Sequence, residues 1–89
     1  MSYRLLYSRR ADEQFSALDP GAARVIVAWL NKNIDGTSAP RARGKGLAGS
    51  QNGSWRYRIG DYRVLCDIQD GDLIVLAVEI GHRCIVYRD

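Results

Sequence analysis

Arg56, Arg58 and Arg63 alternate with apolar residues in Trp55-Arg56-Tyr57-Arg58-Ile59-Gly60-Asp61-Tyr62-Arg63. Guanidinium is a planar fork that can meet two phosphate oxygens at once, whereas an ammonium acts as a point charge. All but Lys32 and Lys45 of the 13 basic residues are arginine, which favours phosphate recognition. The net charge of +3 is unevenly spread. Residues 41–63 hold Arg41, Arg43, Lys45, Arg56, Arg58 and Arg63 against Asp61 alone, while residues 64–82 hold Asp67, Asp70, Asp72 and Glu79 with no Lys or Arg. Such a basic block is either a solvated, salt-bridged face or a surface turned toward a polyanion. Imidazole is the one side chain whose unperturbed pKa suits proton transfer near neutrality, and His82 is the one histidine here. It is a candidate proton carrier or, more plainly, a hairpin-edge residue satisfied by backbone.

Other patterns exclude chemistry. Gly44-Lys45-Gly46-Leu47-Ala48-Gly49 fits G-x-G-x-x-G, but Ser50-Gln51-Asn52-Gly53 follows where a dinucleotide fold needs a helix. Lys45 is not followed by Ser or Thr, so this is no Walker loop; it reads as a solvated loop lysine or a cation that folds over substrate. Cys66 and Cys84 have neither metal-ligand company nor a histidine partner and read as inert thiols. Asp67, Asp70 and Asp72 surround a turn and read as turn formers. Trp29 reads as core. No metal and no cofactor is expected.

The elements that must position these residues follow from local signals. Tyr3 to Tyr7 reads as a first strand. Ser8 can cap a helix carrying Ala11, Phe15 and Leu18 on one face, with Asp12 and Glu13 in its first turns. Asp19-Pro20 starts a second helix with Ala22, Val25, Ile26, Trp29, Leu30 and Ile34 at helical spacing, closed by Gly36 at C′. The stretch from Gly36 to Ser54 has no periodicity and reads as a long loop. Trp55–Ile59 and Tyr62–Gln69 alternate around Gly60-Asp61, a two-residue turn of type II′. Asp70-Gly71 signals a type I′ turn into Asp72–Ile80, and a last strand, Cys84–Tyr87, follows Gly81-His82-Arg83. The expected fold is α+β, in the order β-α-α-β-β-β(-β): an antiparallel twisted sheet with the two helices on one face.

The turn fixes a register. Ile59 should face Tyr62, Arg58 should face Arg63, Tyr57 Val64 and Arg56 Leu65. Trp55, Tyr57, Ile59, Tyr62, Val64 and Cys66 then form the apolar side, and the arginines project from the other. Like charges opposed across strands destabilise a sheet unless they splay, pair with acids such as Asp67, or cover an anion. Three on one face favour the anion.

At 89 residues, 46% apolar and 26% charged, the chain suits one globular domain spanning 1–89, not a disordered, collagenous or coiled-coil protein. The longest apolar run, Leu73 to Val78, is too short to cross a bilayer. Met1-Ser2-Tyr3-Arg4 lacks a signal-peptide pattern, so a cytoplasmic protein with no membrane partner is expected.

Gly53-Ser54-Trp55-Arg56-Tyr57-Arg58-Ile59-Gly60-Asp61-Tyr62-Arg63-Val64-Leu65, with Gly81-His82-Arg83 and Val86-Tyr87, resembles the RelE toxins of the RelE/ParE toxin–antitoxin superfamily. The likeness covers nearly the whole chain. It implies an endoribonuclease that cuts mRNA in the ribosomal A site and is restrained by a cognate, RelB-like antitoxin. Arg63 would then bind the scissile phosphate, Arg83 would be a second catalytic arginine, and Tyr87 would stack on or orient the substrate nucleotide. Arg56 falls where the family often has a catalytic lysine, and Arg58 beside it would be a further phosphate contact. Ser54 stands where a second lysine is expected, and arginine does not readily give up a proton, so the resemblance supplies no general base. His82 is a candidate, although strand alternation points it away from Arg83. The alternatives are a ParE-like inhibitor of DNA gyrase without nuclease activity, and an inactive relative that only binds antitoxin.

Overall fold

The computed structural model describes residues 1–46 and 54–82. Strand β1, Arg4–Tyr7, runs straight into helix α1, Arg9–Ala17. Ser8 is the joint. Its hydroxyl accepts the Ala11 N–H at 3.0 Å and donates to the Val78 carbonyl at 3.1 Å, so one side chain caps the helix and ties it to the sheet. Helix α2, Pro20–Asn33, starts on Asp19, whose carboxylate accepts the N–H groups of Gly21 and Ala22. Its buried stripe is Ile26, Leu30 and Ile34. Val25, expected on that stripe, is 61% exposed, because it lies about 100° around the helix from Ile26. Gly36 has φ +84° and sits beyond Ile34 and Asp35, one step later than expected. There its N–H reaches the Tyr3 carbonyl at 2.8 Å, while the Thr37 carbonyl accepts the Tyr3 N–H at 2.8 Å.

The sheet has five strands in the order β1-β5-β4-β3-β2, where β2 is Lys45–Gly46, β3 Ser54–Ile59, β4 Tyr62–Gln69 and β5 Ile74–His82. The α+β class is as expected, but the sheet is mixed: β1 lies parallel to β5, with Leu5 beside Val75 and Tyr7 beside Ala77. The β3–β4 register is the expected one, with Arg58 opposite Arg63 and Tyr57 opposite Val64. Gly60 has φ +61° while Asp61 stays negative, as a type II′ turn requires. The next turn departs from expectation. Gln69 pairs with Ile74, so four residues make the turn instead of two, and Leu73, not Gly71, takes the left-handed conformation at φ +55°. The segment expected as loop contains a 3₁₀ turn, Pro40–Ala42, and the short strand β2; residues 47–53 lie outside the described residues. Strand β5 continues through Gly81 and His82, where a break was expected, and the predicted strand Cys84–Tyr87 lies outside the described residues.

One face of the sheet carries the core. Tyr57, Ile59, Val64, Cys66, Ile68, Val75, Ala77 and Ile80 meet Ala11 of α1 and the α2 stripe. Side chains also guard the strand edges. The Gln14 amide oxygen accepts the Ile80 N–H at 2.7 Å, and Asp35 accepts the Leu5 N–H at 3.0 Å. Both occupy donors that would otherwise template another strand.

Candidate phosphate-binding site

Gly44 is the residue that lets the site form. The chain approaches it from the core side of the sheet, where Tyr57 Oη donates to the Pro40 carbonyl and Trp55 Nε1 to the Arg43 carbonyl, each at 2.6 Å. At Gly44, with φ +80°, it turns onto the outer edge of β3 as strand β2. A Cβ there would run into the Arg56 carbonyl oxygen and lie 2.8 Å from Trp55 Nε1. Close backbone approach and positive φ together demand glycine.

Strand β2 sets Lys45 opposite Arg56, as the hairpin sets Arg58 opposite Arg63. Directly opposed residues share a face, so these cations gather on the side of the sheet away from the core. They line an open pocket of about 260 Å³ that also takes in Gly44 and, from the core side beside Tyr57, Trp29, so the pocket spans the β3 edge of the sheet. Arg56 and Arg63 are half-buried, while Arg58 is exposed and turns its Nε to the Gly60 carbonyl at 3.4 Å. By sequence alone Lys45 falls in a loop and Trp29 in the core. Two residues of edge strand carry no periodicity to detect, and a helical stripe does not reveal which of its members also meets a cavity.

His82 is not brought to the arginines. It lies opposite Tyr62, with their rings edge to face at 5.9 Å, while Gly81 lies opposite Arg63. A bulge is responsible. Leu65 pairs with Glu79 but Cys66 with Ala77, so Val78 is the extra residue and the inward positions shift from Val75 and Ala77 to Ile80 and His82. Unbroken alternation from Ala77 would have set His82 on the arginine face. Arg83 and Tyr87 lie outside the described residues.

Arg41 leaves the basic block. It grips Asp70 through two bonds of 3.0 and 2.9 Å, and the Tyr3 hydroxyl donates to the same carboxylate at 2.6 Å. The Arg41 hydrogen bonds, followed by that of Tyr3, hold the Asp70 carboxyl at about 2, below its ordinary 3.8. Burial pushes the Cys66 thiol up to about 12, which keeps it protonated and unreactive. Among the described residues, no group of three or more His, Cys, Asp and Glu side chains is close enough to hold a metal ion.

A sheet backed by two helices in this way has counterparts among known proteins. Residues 3–87 match the family described as the ParE toxin of the type II toxin–antitoxin system parDE. The chain belongs to the ParE toxin family. This ParE-family toxin shares its fold with RelE toxins. The toxin–antitoxin complex RelBE2 from Mycobacterium tuberculosis aligns with a TM-score of 0.80 at 24% identity, covering 93% of this chain and 93% of that one. A mutant of the E. coli toxin RelE in the free state gives 0.75 at 19% identity, over 93% and 85% of the two chains. The archaeal RelE–RelB complex from Pyrococcus horikoshii gives 0.70 at 20%, over 97% and 100%. At these identities the likeness is one of fold. No curated protein matches the sequence. Among the described residues no helix is long and apolar enough to cross a membrane.

Proposed function

We propose that this toxin is an endoribonuclease that cuts mRNA, working on the ribosome, and that a RelB-like antitoxin restrains it. The observation that carries the reading is the convergence of Lys45, Arg56, Arg58 and Arg63 on one pocket. In RNA cleavage by transesterification the ribose 2′-hydroxyl gives its proton to a base and its oxygen attacks the adjacent phosphorus. A 2′,3′-cyclic phosphate forms, the bond to the 5′-oxygen breaks, and that oxygen takes up a proton. Negative charge builds on the phosphoryl oxygens in the transition state, and fixed cations meet it without reorganising. Arg63 and Arg58 would hold the phosphate, with Arg56 and Lys45 beside them. Arginine cannot exchange the protons. Among the described residues Lys45 is the one pocket-lining cation that can, so it takes the acid–base task offered to His82 from sequence. Arg83 and Tyr87 keep the parts the RelE resemblance gives them: a second catalytic arginine and a ring that stacks on or orients the substrate nucleotide.

The antitoxin reading is supported by the RelE structures solved with RelB partners. The outer sheet face also continues from the arginines to Leu65, Leu76 and Leu6, the last 37% exposed. A segment carrying apolar and acidic side chains would suit both halves.

A second reading, inhibition of DNA gyrase without RNA cleavage, is favoured by the ParE family match itself. Primer extension on a reporter mRNA in a cell-free translation reaction separates the two. Codon-phased cuts that require ribosomes and vanish in Arg63→Ala support the nuclease. Intact mRNA, with folded protein that blocks gyrase supercoiling, overturns it.

A further inference from the structure

Trp29 belongs by spacing to the core stripe of α2, yet it also forms a wall of the cationic pocket. Its ring is held against Tyr57 at 5.8 Å and 51°. The indole is therefore fixed in place before any ligand arrives. Among the described residues the other lining side chains are four cations and a glycine, so Trp29 is the aromatic surface they leave. A site for phosphate alone gains nothing from an indole. A site for a nucleotide gains a stacking platform: single-stranded nucleic acid is held by cations along its backbone and by aromatic rings against its bases. A volume of about 260 Å³ lies below the usual range for small-molecule pockets and suits a splayed-out base, not a duplex.

We propose that Trp29 is the base-stacking wall of this site, so that phosphate rests on the arginines and the adjoining nucleobase lies against the indole. The inference rests on the RNA reading above. It assigns Trp29 to substrate binding in addition to its contact with Tyr57, and it predicts that base identity affects affinity through stacking strength, with purines favoured.

The test measures binding of the full chain to two fluorescein-labelled probes: a short oligoadenylate, and an abasic ribose–phosphate oligomer with the same number of phosphates. Trp29→Leu should weaken oligoadenylate binding roughly tenfold or more and leave the abasic probe unchanged, because only the base has a π-face to lose. Arg58→Ala should weaken both. Equal loss on both probes, or on neither, overturns the stacking role while leaving the RNA reading standing. Failure of the unaltered chain to bind either probe overturns the stacking site, while the primer-extension experiment decides the RNA reading separately. Should Trp29→Leu not fold, Trp55→Phe leaves Trp29 as the sole indole. Quenching of its fluorescence by oligoadenylate but not by the abasic oligomer supports the stack, and unquenched binding of oligoadenylate sinks it.

Discussion

Charge and proton transfer are separate properties, and Lys45 is where the site can supply both. Opposite Arg56 and beside Arg58 and Arg63, it contributes one more positive charge to a strongly cationic pocket. Replacing it by arginine keeps that charge and removes the transferable proton. If Lys45 serves only to attract phosphate, Lys45→Arg should cleave RNA at nearly the normal rate. If it moves a proton, Lys45→Arg should lose about 10²–10⁴-fold in single-turnover cleavage while binding RNA as tightly as before. Lys45→Ala should lose cleavage and also weaken binding. The measurement is cleavage rate and affinity on the same ribosome-bound message, and equal activity of the arginine variant would return the question to other residues. The arginines were legible at this scale because a two-residue turn propagates its register outward without error. Lys45 was legible as a candidate cation but its place was not, since that depends on a pairing only two residues long.

Most elements whose signals are local were read correctly, the β4–β5 turn at Asp70-Gly71 being the exception, and those decided by distant contacts were not. Ser8, Asp19 and Gly60 each act within a few residues, so α1, α2 and the β3–β4 hairpin followed from spacing alone. The parallel seat of β1 on β5 and the bulge at Val78 depend on contacts across the whole chain. Ser8 and Gln14 meet β5 there, and nothing near Val78 in the sequence announces them. Strand β2 belongs with these non-local elements, and its hinge can be tested. Gly44 and Gly36 have nearly equal positive φ, +80° and +84°, but a Cβ at Gly36 would meet nothing within 4 Å while one at Gly44 would strike β3. Gly36→Ala should therefore cost only the backbone strain, about 1 kcal/mol. Gly44→Ala should cost about 2–3 kcal/mol, because the chain must also move off the strand. Urea midpoints of the two variants give the comparison. Equal losses would mean that β2 does not lie as closely on β3 as described.

At the scale of the molecule, a strap holds the far end of the sheet together. Residues 37–44 are tied down through Pro40 and Arg43 to β3, and through Arg41 to Asp70 in the β4–β5 turn, where Tyr3 from the N-terminal segment also binds. Three distant parts of the chain thus converge on one carboxylate, and the strap leads directly into Gly44 and Lys45. Asp70 is solvent-exposed, so its contribution is modest and falls with salt. Its sign is nevertheless definite. The folded carboxyl titrates at about 2, below the value near 3.9 of an unfolded aspartate, so the unfolded chain binds the proton first. The stabilisation is complete above about pH 4 and is lost as pH falls toward 2. Asp70→Asn, which cannot ionise, should melt below the unaltered chain at pH 6, and the gap between their melting temperatures should close between about pH 4 and pH 2. The same gap should narrow at pH 6 when salt is raised, since exposed charges are screened. A gap independent of pH would mean that Asp70 acts by its hydrogen bonds alone, and that the charge on Arg41 is available to the polyanion after all.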